Sequence, residues 1–376
     1  MLRGKFGSMR STAVEKNKIV AEDLAYIYNG LSATELDKLK DSTILITGCG
    51  GFLGYYFMHF FASNAERLNL HVIGLDNFLT GSRGWLETLD AENDRVTLKE
   101  YNVITDDIQS VEGAEDVKFI IHAASIASPI FYRIYPEETI DANITGLRRM
   151  LDFYKTRSID GFLFFSSSEI YGDPFPEFIP TDENYRGNVA TMGPRACYDE
   201  AKRFGETMCY IFNQKYKMPI SIARPFNNYG PGMNINDKRL PADFAKAVHE
   251  GRDLTMYSNG KPTRTFCYIA DAITGYLKVM LHGKLDVFNI GIDKPEVSVA
   301  DFANYFAKQA KEIYDYKGAV VFDVSDDEEY MTDNPNRRCP NIDKAKSILA
   351  YNPTIEVEEG IGRYLTFLRI NNGELI

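Results

Sequence analysis

The chain has 376 residues, of which 44% are apolar and 25% charged, so it is too apolar to be disordered. Its length suggests two domains, or one large domain with an attachment. The net charge of −11 argues against a general nucleic-acid-binding protein, which would need a basic face, but it leaves room for a local basic pocket that binds an anionic small molecule.

The first 40 residues look separate from the rest of the chain. They contain no apolar signal-peptide core, the chain has no membrane-length apolar segment, and its five cysteines lack metal-binding spacing. We therefore expect a cytoplasmic protein with reduced thiols, no membrane partner and no metal site. The pattern predicts one or two polar helices over 14–40, with Ser32 and Glu35 placed to form a capping box. We interpret 1–40 as a helical extension that packs on the body or on a partner subunit.

From Thr43 onward, short apolar segments typical of buried strands alternate with helical segments. The predicted strands are 43–47, 71–76, 118–124, 161–168, 219–224 and 287–290, and the predicted helices are 52–67, 136–157, 196–216 and 357–370. This alternation predicts an α/β fold with a Rossmann-type doubly wound parallel sheet, covered by helices on both faces. We expect a cofactor-binding domain over 41–224 and a smaller α/β substrate-binding domain over 225–376, interleaved with the first.

The sharpest early motif is a glycine-rich turn between the first strand and the following helix, with Gly48, Gly51 and Gly54. The first glycine allows a tight turn, the second lets a pyrophosphate approach, and the third lets the helix pack closely on the strand. The helix N-terminus then offers N–H groups to the phosphates. Asp76 ends the next strand, where a carboxylate binds the adenosine ribose and would repel a 2′-phosphate, so NAD is favoured over NADP.

A second motif is the pair Tyr198 and Lys202, which lie four residues apart in a predicted helix and therefore share a face. A lysine ammonium ~5 Å away, at an effective dielectric of ~20, favours the phenolate by about 3 kcal/mol, or roughly two pK units. We therefore predict that Lys202 lowers the pKa of Tyr198. The phenolate could then remove a proton from a sugar hydroxyl while hydride leaves the same carbon.

A third motif is a run of three serines and a glutamate after an apolar strand, at the edge where ligands bind in open α/β sheets. Ser167 is placed to share a proton with the hydroxyl that Tyr198 attacks. Glu169 lies one step deeper into the site. A carboxylate at the end of a buried strand needs either a partner for its charge or a functional role. For Ser166 and Ser168, ordinary turn capping is an equally good interpretation.

Together these motifs resemble those of the extended short-chain dehydrogenase/reductase family, the NAD-dependent nucleotide-sugar epimerases and dehydratases. The resemblance runs from about Thr43 to Arg369. Within the family it is closest to the decarboxylases, and the most specific segment is Gly-Pro-Arg-Ala-Cys-Tyr-Asp-Glu at 193–200. It implies an NAD cofactor, a nucleotide-sugar substrate and decarboxylation of UDP-glucuronate to UDP-xylose, a step in polysaccharide biosynthesis.

The resemblance also implies which residues form the site. The cofactor would be bound by Gly48, Gly51, Phe52, Leu53, Gly54, Asp76, Asn77, Asn102, Val103, Ala123, Ala124, Tyr198, Lys202 and Pro225. Catalysis would involve Tyr198, Lys202, Ser167, Ser168, Glu169 and Arg338. The nucleotide sugar would be bound by Tyr132, Asn227, Tyr257, Arg264 and Arg338; a guanidinium suits a diphosphate because it pairs with it in a bidentate manner.

The strand motif separates the subgroups of this family. The 4,6-dehydratases resemble one another in an Asp-Glu pair whose Asp protonates the departing 6-hydroxyl, whereas this chain has Ser168 and Glu169. Simple 4-epimerases usually carry a small or apolar residue in place of Glu169. The implied reaction oxidises sugar carbon 4, loses carbon dioxide through an enolate stabilised by Tyr198 and Ser167, and protonates carbon 5 through Glu169 or a water that it holds.

Departures from the family pattern leave room for another nucleotide or another uronic acid. Asn102 stands where many relatives have Asp, Gly232 stands where decarboxylases usually have Arg, and the 40-residue extension is not a standard part of the family. Ser167 stands where decarboxylases usually have Thr, and we expect little consequence because the hydroxyl is retained. The alternatives are a nucleotide-sugar 4-epimerase, a 4,6-dehydratase that works without the Asp, and a regulatory protein that binds the cofactor but has lost catalysis.

The resemblance implies a homodimer as well. Two helices from each subunit would pair, those around 141–154 and 196–216. The second helix carries four apolar residues expected to supply the paired surface: Met208, Cys209, Ile211 and Phe212.

Overall fold

The computed structural model describes residues 18–324, 332 and 335–375. The helices are α1 (Lys18–Asn29), α2 (Ala33–Leu39), α3 (Phe52–Leu68), α4 (Gly84–Glu92), α5 (Pro129–Ile134), α6 (Pro136–Asp141), α7 (Leu147–Tyr154), α8 (Ala196–Tyr216), α9 (Leu240–His249), α10 (Ile269–His282), α11 (Val299–Tyr314), α12 (Asp343–Leu349) and α13 (Val357–Ile370). The strands are β1 (Thr43–Thr47), β2 (His71–Asp76), β3 (Val96–Glu100), β4 (Val117–His122), β5 (Gly161–Phe165), β6 (Ile220–Pro225), β7 (Asn228–Tyr229), β8 (Leu254–Met256), β9 (Thr263–Arg264), β10 (Cys267–Tyr268), β11 (Asp286–Ile290), β12 (Val297–Ser298), β13 (Val320–Phe322) and β14 (Arg337–Arg338).

A seven-stranded sheet forms the centre of the protein, in the order β11-β6-β5-β4-β1-β2-β3, and every neighbouring pair is parallel. The chain runs outward from β1 to β3 and then returns to β4 on the other side of β1. The carboxyl ends of β1 and β4 therefore flank the switch point at which open α/β sheets bind their ligands. The predicted doubly wound α/β fold is confirmed.

Two hydrophobic clusters cover the two faces of this sheet. Ile44 and Ile46 of β1 belong to one cluster, whereas Leu45 between them belongs to the other. This alternation follows from the period of two in a strand, and it explains why β1 is apolar throughout. Helices α3 and α10 pack on the first face, and α7 and α8 pack on the second.

The sequence prediction differs from the structure in several places. It did not predict the helices α5, α9, α10, α11 and α12. It also missed β3 with the preceding helix α4, because Val96–Glu100 is a half-exposed edge strand and not a continuous apolar segment. The predicted helix over 136–157 is interrupted, since Ala142–Gly146 forms a π-helical turn between α6 and α7. The remaining predicted strands and helices are present, with boundaries that differ by no more than three residues.

The surface of α8 differs from the expectation. Met208, Cys209 and Phe212 are buried in the cluster against the sheet, so the prediction that they offer a surface to a partner is wrong. Their spacing puts them on the helix face that covers β5 and β6. Phe204 and Ile211, seven residues apart, are 49% and 51% exposed along the edge of this buried face.

The N-terminal helices pack on the body of the protein. The predicted capping box is present, because Ser32 and Glu35 each accept a hydrogen bond from the other's backbone N–H. The carboxylate of Asp23 on α1 is fully buried and accepts hydrogen bonds from Tyr56 Oη at 2.6 Å, Tyr268 Oη at 2.6 Å and Arg363 Nη1 at 2.8 Å. Residues 14–17 of the predicted helical segment lie outside the described residues.

The later part of the chain contributes to the sheet and adds short strands. Strand β11 is an edge strand of the large sheet, and β9 lies between β12 and β14 in a separate three-stranded sheet. The division into domains at residue 224 stays a prediction. No helix in the described ranges is long and apolar enough to cross a membrane.

Candidate active site

A cavity of about 680 Å³ runs along the carboxyl ends of the parallel strands. All of the residues predicted to serve the cofactor, catalysis or the substrate line this cavity. A volume of this size is in the range of small-molecule sites. The structure thus brings these residues together, while the role of each one stays a prediction.

The glycine-rich turn has the geometry that a bound pyrophosphate needs. Gly48 has φ +73°, and a Cβ there would lie 2.7 Å from the backbone of Ala123 and Ala124. A Cβ at Gly54 would lie 2.2 Å from the carbonyl oxygen of Cys49, so the helix packs closely on the turn. No side chain among the described residues caps the start of α3, which leaves its N-terminus facing the cavity.

Asp76 is fixed at the same end of the cavity. Its Oδ2 accepts a hydrogen bond from Gly50 N at 2.8 Å, and its Oδ1 accepts one from Phe78 N at 2.7 Å. Burial raises the pKa of Asp76, and these backbone hydrogen bonds oppose the rise. A Cβ at Gly81 would lie 3.0 Å from the carboxylate, so only glycine leaves this space open. The glycine-rich turn is therefore placed to bind the diphosphate of an adenosine diphosphate group, and the Asp76 carboxylate is placed to bind its ribose.

Tyr198 and Lys202 lie on one face of α8, but their electrostatics differ from the prediction. Burial raises the pKa of Tyr198 to about 12, against the effect of its hydrogen bond with Ser167. Burial also lowers the pKa of Lys202 to about 7; its Nζ donates to Phe165 O at 2.8 Å and lies 5.5 Å from the Tyr198 ring centroid. The prediction that Lys202 lowers the pKa of Tyr198 is therefore wrong for the protein alone, because desolvation acts on both groups.

Glu169 lies between two guanidinium groups. Arg338 donates to both of its carboxylate oxygens, with Nη2 2.7 Å from Oε2, and Arg195 Nη2 donates to Oε2, also at 2.7 Å. Burial alone would raise the pKa of Glu169, but Arg195 and Arg338 outweigh it and hold this pKa well below its usual range. Glu169 is therefore an ionised carboxylate and a poor proton donor.

Arg195 was not among the predicted site residues. It lies at the N-cap of α8, three residues before Tyr198, within the segment that carries the family resemblance most specifically. Its guanidinium carbon is 6.0 Å from the centroid of the Tyr132 ring, and that ring stacks on Tyr198 at 5.2 Å with an interplanar angle of 12°. The sequence signal that could have identified Arg195 is its position within the 193–200 segment. Its burial could not be recognised from the sequence alone.

Arg264 and Arg338 bring further positive charge to the cavity. They are register partners on β9 and β14, and both side chains are buried. Burial, and then the positive charge of Arg338, lower the pKa of Arg264 to about 10. With Arg195, three buried guanidiniums and one carboxylate line this end of the cavity, so it favours an anionic ligand.

The remaining predicted substrate residues line the same end. Tyr257 is partly exposed at the cavity, and Asn227 Nδ2 donates to Thr265 O at 3.0 Å. Gly232, where the family pattern usually has Arg, has φ +85°, and a Cβ there would lie 2.8 Å from Tyr55 Cδ1. Packing of the Tyr55 ring therefore accounts for the glycine at this position.

Comparison with known proteins gives consistent matches. The model of the NAD dependent epimerase/dehydratase family matches residues 44–291. UDP-glucuronic acid decarboxylase 6 of Arabidopsis thaliana is 34% identical over 318 residues, covering 85% of this chain and 86% of that protein. UDP-glucuronic acid decarboxylase 1 of Xenopus tropicalis is 35% identical over 327 residues, covering 87% and 72%.

A similar solved structure is UDP-glucuronic acid 4-epimerase from Bacillus cereus, in complex with UDP-glucuronic acid and NAD. It has a TM-score of 0.71 and 23% identity, and the match covers 87% of this chain and 99% of that chain. At this identity the likeness shows a shared fold.

Proposed function

Because this chain belongs to the NAD-dependent epimerase/dehydratase family, we propose that it decarboxylates UDP-glucuronate to UDP-xylose and uses NAD as a recycled cofactor. The observation that carries this proposal is the ion-paired state of Glu169. A carboxylate held by two guanidiniums stays ionised, so it does not supply a proton to a leaving group. The names of the relatives with 34% and 35% identity support the same reaction.

The leaving group distinguishes this reaction from dehydration. Carbon dioxide leaves a β-keto acid without being protonated, whereas a hydroxide must take up a proton as it leaves. Position 168 is a serine, and Glu169 beside it is ionised. A 4,6-dehydratase would need an acid at this place, so the arrangement disfavours dehydration and suits decarboxylation.

The charge of the cavity supports the substrate class. UDP-glucuronate carries a diphosphate and a sugar carboxylate, and both are anions at neutral pH. Arg264 and Arg338 lie side by side on neighbouring strands, and Arg195 adds a third guanidinium next to Glu169. Guanidiniums pair with phosphate and carboxylate groups in a bidentate manner, so a dianionic diphosphate would balance their charge.

The residues at the start of α8 would perform the acid–base chemistry. NAD, when bound, accepts and returns the hydride and places a positive charge near Tyr198 in its oxidised form. Tyr198 would take the proton of the hydroxyl on sugar carbon 4. Ser167, hydrogen-bonded to Tyr198, would share this proton, and together they would stabilise the negative oxygen that develops as carbon dioxide leaves. A water held by Glu169 would then protonate carbon 5, because the ionised Glu169 has no proton to give. Tyr198 would return its proton to the oxygen on carbon 4 as the hydride comes back. Lys202, with a pKa of about 7, would add positive charge when protonated.

Product analysis tests this proposal. Purified protein incubated with UDP-glucuronate should yield UDP-xylose and one carbon dioxide per turnover, both followed by mass spectrometry. An isomer of unchanged mass would overturn decarboxylation and identify a 4-epimerase. A 4-keto-6-deoxy product from a UDP-hexose would identify a 4,6-dehydratase instead.

We also propose a homodimer that pairs through α8 and the helical segment from α6 to α7. The exposed apolar residues Phe204 and Ile211 of α8, with Ile140 of α6, support this pairing. Sedimentation of wild type and of Ile211→Glu tests the dimer, which the charged variant should dissociate.

A cytoplasmic location and a role in polysaccharide biosynthesis complete the proposal. The five free thiols are compatible with a reducing compartment.

A further inference from the structure

Arg195 lies close to the proposed catalytic residues, but the steps of the proposed reaction assign it no role. It lies immediately before α8, the helix that carries Tyr198, and its side chain is buried. It contacts Glu169 through Nη2 and lies over the ring of Tyr132, which in turn stacks on Tyr198. Arg195 thus pairs with the carboxylate and lies beside the aromatic pair at the same end of the cavity.

Both carboxylate oxygens of Glu169 would accept hydrogen bonds from the protein even without a second guanidinium. Arg338 already donates to both carboxylate oxygens, and Arg195 adds a further bond to Oε2. The Nε of Arg195 is itself buried and has no hydrogen-bond partner among the described residues. An unfilled buried donor costs about 1–3 kcal/mol. The second ion pair therefore places an extra positive charge beside a carboxylate whose two oxygens are already paired with Arg338.

We propose that Arg195 is a positioning residue, which holds Glu169 as an ionised carboxylate facing the sugar throughout turnover. The inference deepens the proposed function, on which its turnover test rests. Arg195 acts through Glu169 and, because it begins the helix of Tyr198, it ties the position of the carboxylate to that of the catalytic tyrosine.

The electrostatic surroundings of Glu169 support this role. The charged and titratable side chains that face Glu169 or its two partners come from four elements and the N-cap of α8: Tyr132 of α5, Arg195 before α8, Tyr198 and Asp199 of α8, Arg264 of β9, and Arg338 of β14. Burial raises the pKa of Glu169, and the positive charges of Arg195 and Arg338 both lower it. Removal of one adjacent positive charge should raise this pKa by roughly 1–3 units.

An infrared titration of the substrate-free protein tests the inference without using the reaction. The C=O stretch of a protonated Glu169 is identified as the band that is absent in Glu169→Gln. We expect this band to appear as the pH falls into the acid range, at a pH about 1–3 units higher in Arg195→Met than in wild type. Arg195→Lys, which keeps the charge, should behave as wild type. An Arg195→Met spectrum identical to that of wild type would overturn the inference.

The pH dependence of turnover provides the second test. In Arg195→Met, the acid limb of kcat for carbon dioxide release should move upward by about 1–3 pH units, and Arg195→Lys should restore most of the shift. Arg252→Met, which removes an exposed ion-paired arginine, is the matched control and should not move the limb. A uniform loss of kcat at every pH would mean that Arg195 is merely structural. If wild type releases no carbon dioxide, the proposed function fails, and the infrared result still decides the role of Arg195.

Discussion

Arg264 and Arg338 are register partners on two neighbouring parallel strands, with both guanidiniums buried. Like charges at facing positions of a sheet destabilise it. The pairing with Glu169 offsets the charge of Arg338, whereas burial and Arg338 lower the pKa of Arg264. A diphosphate bound beside Arg264 and Arg338 would reduce the repulsion between these two guanidiniums and would therefore stabilise the protein.

Arg264→Gln should weaken binding of UDP by about 10- to 100-fold, because a charge-assisted hydrogen bond contributes about 1.5–3 kcal/mol. Titration calorimetry with UDP measures this effect. Arg337→Gln is the matched control, since Arg337 is the exposed neighbour of Arg338 and pairs with Glu296. Equal losses in both variants would contradict the assignment of Arg264 to the diphosphate.

Tyr198→Phe should lower kcat for carbon dioxide release by roughly 10²- to 10⁴-fold, the usual contribution of a general base. The ring stacked on Tyr132 is retained, so NAD binding and the thermal midpoint should change little. Tyr210→Phe alters an exposed tyrosine of the same helix and should leave kcat unchanged. Turnover of Tyr198→Phe within a few-fold of wild type would exclude Tyr198 as the base.

The buried Lys202 predicts a pH-dependent stability difference. Its pKa falls from 10.5 in the unfolded chain to about 7 in the folded protein. Between these values the unfolded chain binds the extra proton, so this contribution to stability rises with pH. The free energy of unfolding of Lys202→Met should therefore exceed that of wild type most near pH 7, and less as pH approaches 10. Urea unfolding at several pH values measures the difference; a constant difference would contradict a neutral buried lysine.

Asp23→Ala should destabilise the protein by about 1–3 kcal/mol for each of the two tyrosine hydroxyls that it leaves buried without an acceptor, while Arg363 keeps its ion pair with Glu359. Urea denaturation gives this value. Asp37→Ala is the control, since Asp37 lies on α2 in an exposed ion pair with Lys40. A loss below about 1 kcal/mol, typical of a surface pair, would show that the N-terminal helices contribute little to the fold.

Much of the fold was predictable from sequence, since parallel strands buried on both faces are apolar throughout. Strand β1 and the glycine turn after it illustrate this. Strand β3 was missed because an edge strand that ends in Lys99 and Glu100 lacks such a pattern.

The composition of the site was also predictable, because Tyr198, Glu169 and the glycines belong to spaced motifs. Its electrostatics were not. The pKa of Tyr198 depends on the burial of both Tyr198 and Lys202, and this burial results from packing of α8 on the sheet. Arg195 was missed for the same reason, since an arginine before a helix usually lies in solvent.

The most direct test of the proposed reaction uses UDP-glucuronate labelled with ¹³C in its carboxyl group, followed by NMR in one sample with catalytic NAD. Decarboxylation predicts that the label leaves as carbon dioxide and bicarbonate, in step with unlabelled UDP-xylose and without net formation of NADH. Label that stays in the nucleotide sugar, while an isomer accumulates, would contradict decarboxylation.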